Sequence, residues 1–433
     1  MFHVEPEPSS LMLRCSKLDY VCYTRETIAP FCASLMISFT RYVELLARPD
    51  LKGTVLASVI GRLPIGIAGL SILLLEQTAS GSFIRGGAAS AAYVAGLASV
   101  APLLGRIIDR SGPKRVLLWC AGAFPAALVA LVLAANGAAG AAVTLALAFT
   151  AGANFPPITV CMRTFLRREI GEAPLLAAAY SLESVLIETI FIVGPMLVAV
   201  FLAMASPSMA VLFAALCALI GTLMFLRAPG LSGWRIEPRA SATLFGPLAE
   251  RGFLPLLAVV LCYASAFGLV EIGITAYATE AGHPALAGVM LGLMSVGSVA
   301  GGLTYGSRGW RMPLARQFAV TLFVMGAGMA LLALAANAWL FALLSIVAGV
   351  VMAPALTIQS MLVAKTASSQ HATEAFTWSS TGLLCGVGLG IAAGGWLIER
   401  WSANTTFVAA AIAALAAGAL ALALEKERVS SAH

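Results

Sequence analysis

The chain has 433 residues, of which 60% are hydrophobic and 11% charged, against about 25% charged in an average soluble domain. Its mean hydropathy of +0.94 comes from apolar blocks the length of a bilayer-crossing helix, which excludes a water-soluble enzyme and a disordered chain. The net charge of +6 does not point to nucleic acid, because the basic residues separate the apolar blocks instead of clustering with aromatics.

Residues 1–53 read as an N-terminal tail whose one apolar run, IAPFCASLMISF at 28–39, is too short to cross a membrane and lacks a cleavage site. A native start at or near Met36 is one reading of this segment. Six apolar spans then follow, at 54–75, 86–107, 114–136, 141–163, 174–203 and 209–226. The polar, arginine-bearing stretch 227–252 reads as a linker, and six more spans lie at 253–277, 285–306, 315–336, 338–364, 375–397 and 405–425, before a tail at 426–433. The expected fold is an all-α integral membrane protein of twelve helices, in bundles at 54–226 and 253–425. Of the 26 Lys and Arg, 23 fall on the side that holds both termini; only Arg85 and Arg400 fall on the other, and Arg62 lies inside the first span. Because insertion keeps basic loops in the cytoplasm, both termini are expected there, in a multi-pass protein of the plasma or inner membrane.

The eight cysteines form no CxxC pair, and the four histidines, His3, His283, His371 and His433, fall in loops or tails. Neither a metal centre nor a cofactor is expected from such a distribution. HExxH and GxSxG are absent, and Lys365-Thr366 has no phosphate-cradling glycine loop before it, so neither an enzyme nor an ATP-driven pump is expected.

A constant spacing of 197 residues relates Gly105 to Gly302, Gly112 to Gly309, Gly152 to Gly349 and Pro157 to Pro354, as a duplicated six-helix unit would. Between spans two and three the chain reads GRIIDRSGPKR, Gly105 to Arg115, a tight charged turn. This resembles the signature loop of the major facilitator superfamily, G-x-x-x-D-R-x-G-x-K/R-R, with Pro113 where a basic residue is common. The resemblance implies two pseudo-symmetric bundles, alternating access and a monomer. It also implies a gating role for the loop residues Gly105, Asp109, Arg110, Gly112, Lys114 and Arg115. The second half carries Gly306 where the first has Asp109, so a weaker second latch is expected. Gly194-Pro195 resembles the centre of the family's antiporter motif without its glycine pair, and reads either as an exporter's bend or as a generic helix kink.

Charges inside spans cost on the order of 3 kcal/mol at the bilayer centre and need partners or water. Four qualify: Arg62, Glu183, Glu188 and Glu271. At roughly 1.5 Å per residue, Arg62 and Glu183 enter to similar depths, about 12 and 14 Å, so a pairing between them is expected. That pair is either structural or part of coupling or substrate recognition. Glu188 lies about 140° around the helix from Glu183 and needs its own surroundings. It is a candidate proton carrier, a helix–helix hydrogen bond or a group in the substrate path. Glu271, in the outer third of span seven, reads as a snorkelling or gate residue. Tyr93, Phe155, Tyr180, Tyr263, Phe267 and Trp378 are of the types that line the cavity in this family, although aromatics at such positions more often serve packing.

The reading that follows is a secondary transporter coupled to protons and exporting small organic molecules or metabolites across the lipid bilayer. Import or exchange of a small organic solute, an anion held by Arg62 among them, is the competing account. A membrane scaffold or sensor without transport is the alternative of another class.

Overall fold

The computed structural model describes residues 40–204, 206–228, 231, 246–250, 252–283 and 286–430. Twelve membrane-capable spans occur among them: Pro49–Ser80, Arg85–Ser111, Pro113–Asn136, Ala141–Glu169, Ala173–Met204 and Pro207–Arg227 in the first half, then Phe253–Glu280, Leu286–Ser307, Leu314–Leu332, Ala338–Thr366, Ser369–Arg400 and Ala403–Ala423. The segment 28–39 and Met36 lie outside the described residues, as does most of the linker.

Observed spans outrun the apolar blocks because a helix does not stop at its first charge. Span four continues through Met162-Arg163-Thr164-Phe165-Leu166-Arg167-Arg168 to Glu169, and span two to Ser111. Residues 40–53, read above as tail, are helical as well: Thr40–Ala47 forms a short helix that buries Tyr42 and Leu45, and span one begins at Pro49. Tyr42 and Leu45 are three apart, on one face of a helical turn.

Three spans are broken, each next to a proline, whose ring cannot continue the hydrogen-bond ladder of the preceding turn. Span one breaks at Leu63 before Pro64. Span four breaks at Asn154–Pro157, and span ten at Val350–Val351, just ahead of Pro354. Pro157 and Pro354 are the pair related by the sequence repeat, so the two halves share this break. The repeated glycines share a contact too. Gly152 packs directly on the Tyr93 carbonyl of span two, and Gly349 on the Met294 carbonyl of span eight. Any side chain there would drive the helices apart, which is how small residues stabilise helix pairs in lipid.

Each half is a six-helix bundle, and the two meet where span two packs on span eleven and span five on spans eight and ten. Many outward-facing positions of the spans are apolar: Trp119, Leu133, Met196, Leu343 and Ile412 are all exposed, as expected where the solvent is hydrocarbon.

Candidate functional site

Arg62 sits in the last turn before the break in span one and is fully buried. Its Nη1 donates to Glu183 Oε1 of span five at 3.1 Å, while Nε donates to the Ser58 carbonyl at 3.1 Å and Nη2 to Ser58 Oγ at 2.6 Å. The second Glu183 oxygen accepts from Arg163 Nε at 3.2 Å. Arg163, placed by the sequence at the end of span four, therefore lies inside it and is buried. Tyr180 Oη donates to the Arg163 carbonyl at 3.1 Å and fixes that strip of span four against span five. Two guanidiniums thus share one carboxylate in a buried site with one positive charge in excess. Counting apolar blocks hid Arg163, since its charge ended the block; its four-residue spacing from Arg167 was the available signal that both lie on one helical face.

A second cluster joins the halves at the end that carries the Gly105–Arg115 motif. Asp109 is buried, and its two oxygens accept from the backbone N–H groups of Thr373 at 3.0 Å and Glu374 at 2.8 Å. These are free donors in the first turn of the span-eleven helix, where the helix dipole also favours an anion. Arg106 binds the Glu374 carboxylate through Nε at 3.0 Å and Nη2 at 2.6 Å. At the opposite polarity, Arg167 Nη2 donates at 2.6 Å to the Ala367 carbonyl at the end of span ten. Gly105 lies against Thr377 and Glu374 and permits the close approach.

The motif's residues divide by position. Gly105, Asp109 and Arg110 are helical, and the turn is Gly112 alone, at φ +79, a conformation that favours glycine. Pro113, the departure from the family pattern, occupies the first position of span three, where its missing N–H costs nothing. Arg110, Lys114 and Arg115 are exposed. Arg106 and Glu374, which carry the charged contact, were missed; Arg106 is three residues from Asp109 and so shares its face.

Beneath this clasp, Glu250 from the end of the linker accepts from the Ser368 backbone N–H at 2.8 Å and from Ser368 Oγ at 2.7 Å. His371 Nδ1 lies 3.2 Å from the same carboxylate. His371, read from sequence as a loop residue, instead closes a 3-10 turn, Ser369–His371, at the start of span eleven and is buried.

Glu188 is partly buried on span five beside Ser295 and Ser298 of span eight, across the seam between the halves. Glu271 is exposed. A further buried carboxylate, Glu76, lies where span one ends, bound to Arg85 Nη2 at 2.6 Å and Thr144 Oγ1 at 3.1 Å. It stood just outside the apolar block read from sequence.

The aromatic candidates are packed rather than gathered at one surface. Tyr93 and Phe155 belong to the core of the first bundle, with Phe155 edge-on to Phe124 at 5.3 Å. Tyr180 meets Phe376 of span eleven at 6.2 Å. Tyr263 is fully buried, bonded to Gln359, and flanked by Phe267 at 5.4 Å and Phe318 at 5.7 Å. Trp378, partly buried, carries an indole N–H that is enclosed without a hydrogen-bond acceptor among the described residues. Pro195 lies within the unbroken helix Ala173–Met204, and Gly194 packs backbone to backbone against Gly66 of span one.

Residues 256–433 match the family model of the Major Facilitator Superfamily. Solved structures share the fold over most of the chain. The human organic anion transporter MFSD10 (TETRAN) has a TM-score of 0.69 at 18% identity, over 86% of this chain and 99% of that one. A bacterial homologue of the iron transporter ferroportin, in an outward-facing state, scores 0.70 at 15% identity, over 87% and 99%. The E. coli fucose:proton symporter FucP scores 0.64 at 15% identity, over 87% and 99%. No curated protein matches the sequence. The match to the Major Facilitator Superfamily model covers the second half of the chain, and the twelve spans and the fold shared with these transporters extend the likeness over most of it.

Proposed function

We propose that the chain is a secondary active transporter that works by alternating access and couples proton movement to the export of small organic molecules or metabolites. The observation that carries this reading is the clasp of Asp109, Arg106 and Arg167 on the facing ends of spans ten and eleven. It joins two bundles through polar bonds at one end, bonds that a rocking motion breaks and remakes. With the basic loops in the cytoplasm, the clasp closes the inner mouth, and the halves 54–226 and 253–425 move about their shared seams while 227–252 tethers them. Glu188 supplies the coupling: its carboxyl lies beside Ser295 and Ser298 of the opposite bundle, so opening that seam changes its solvation and its hold on a proton.

One observation favours a second reading. The excess positive charge at Arg62, Arg163 and Glu183 suits a small organic anion, and MFSD10, with the same fold, is named an organic anion transporter. Protein reconstituted in liposomes with an imposed pH gradient separates the two. Export predicts proton-driven movement of ethidium; the anion reading predicts movement of fluorescein, abolished by Arg62→Met. Liposomes in which neither probe moves and no proton flux follows a panel of organic acids and amines would refute transport.

A further inference from the structure

Among the described residues, the positions that the repeat makes equivalent to the clasp hold no charged group. The 197-residue repeat carries Arg106 to Leu303, Asp109 to Gly306, Arg167 to Ala364 and Glu374 back to Ala177, so all four charged members are replaced by apolar residues or glycine. The seam between spans five and eight nonetheless closes there. Ser181 bonds to the Gly302 carbonyl, and the space that a side chain at Gly306 would occupy is filled by Ser181 and the Tyr42 hydroxyl.

Tyr42 comes from the short helix Thr40–Ala47, ahead of span one. Its hydroxyl donates to the Leu303 carbonyl at 3.0 Å and reaches the Gly302 carbonyl at 3.5 Å, both on span eight, and Ser181 Oγ on span five at 3.3 Å. The side chain is buried, as is Leu45 one turn on, whereas Val43 and Leu46 are exposed. Burial raises the phenol's pKa, against the opposing pull of the Ser181 bond and Arg41. Arg41 lies against Gly309, the residue at the second half's equivalent of the Gly112 turn. The helix therefore touches the first bundle at span five and the second at span eight.

We propose that Tyr42 is the second latch of this transporter: the Thr40–Ala47 helix inserts a phenol where the duplicated motif lost its aspartate, and holds spans five and eight together while the clasped end is shut. The glycine at 306 is then the complement of Tyr42, since an aspartate there would occupy the phenol's place. This rests on the alternating-access reading above. It further assigns a gating role to a segment that precedes the transmembrane bundle.

The test is distance measurement by paired spin labels on the full chain in a cysteine-free background, in lipid nanodiscs. Exposed Glu172 and Arg311 report the clasped end, and exposed Asn136 and His283 the opposite end. Losing about one net hydrogen bond changes an equilibrium roughly five-fold. Tyr42→Ala is expected to raise the population with a long 172–311 distance about five-fold, with a reciprocal shortening of 136–283. Tyr42→Phe keeps the ring and Leu45's packing but loses the bonds to Leu303 and Gly302, and is expected to move the same populations in the same direction. Asp109→Asn is the control. If it opens the clasped end while both Tyr42 variants keep wild-type distributions, the second latch is wrong and alternating access stands. If Asp109→Asn also leaves both distances unmoved, alternating access falls with it.

Discussion

The charge count around Glu183 makes an ordering of stabilities that a simple ion pair does not. Glu183→Gln preserves volume and one acceptor but leaves Arg62 and Arg163 facing each other, the first fully buried and the second 7% exposed. Removing the shared partner of buried charges costs about 3–5 kcal/mol. For a bundle of this size, at about 2–4 °C per kcal/mol, that is a loss of roughly 10 °C in melting temperature. Arg62→Met is milder. It gives up the bonds to Ser58 and Glu183 but leaves Arg163 and Glu183 as a balanced pair, for a cost of about 1–2 kcal/mol. Pairing Arg62→Met with Glu183→Gln does not restore stability, because Arg163 is then the uncompensated ion; adding Arg163→Met does. Thermal unfolding of purified protein in detergent, followed by intrinsic fluorescence, measures the series. If Arg62→Met melts as low as Glu183→Gln, or the double variant regains wild-type stability, the three-charge account is wrong.

Asp109→Asn keeps the shape of the cap on span eleven but weakens it by about 1 kcal/mol, so a cysteine placed at Thr373 should react faster with a membrane-impermeant maleimide added from the clasped side. Gly152→Val and Gly349→Val each put a side chain onto a facing carbonyl, Tyr93 and Met294 respectively. Both should yield little folded protein by fluorescence-detected size exclusion, whereas Gly122→Val, where nothing lies within 4 Å, should express normally. Glu188→Gln should keep the melting temperature within a few degrees, since an amide keeps the volume and polarity beside Ser295 and Ser298, and should abolish proton-driven transport in liposomes; proton-driven transport that persists would remove Glu188 from coupling.

The twelve crossings were legible from sequence because membrane insertion reads local hydropathy, which neighbouring residues decide together. The repeat, the Gly105–Arg115 motif and the family resemblance were legible for the same reason: each is a pattern of spacing along one stretch of chain. A meeting of Arg62 and Glu183 could be expected because depth along a helix follows from counting residues. Azimuth does not. In a helix apolar on every side, lipid-facing and protein-facing residues are chemically alike, so no periodicity says which face turns inward. Only tertiary structure could therefore place Arg163 on the far side of Glu183, set Asp109 on the backbone of span eleven with Arg106 beside it, and pack Tyr93 and Phe155 into a bundle core. The filling of the gap at Gly306 by Tyr42 is of the same kind: the two residues are 264 positions apart in the chain, and nothing but the packing of span five on span eight brings them together.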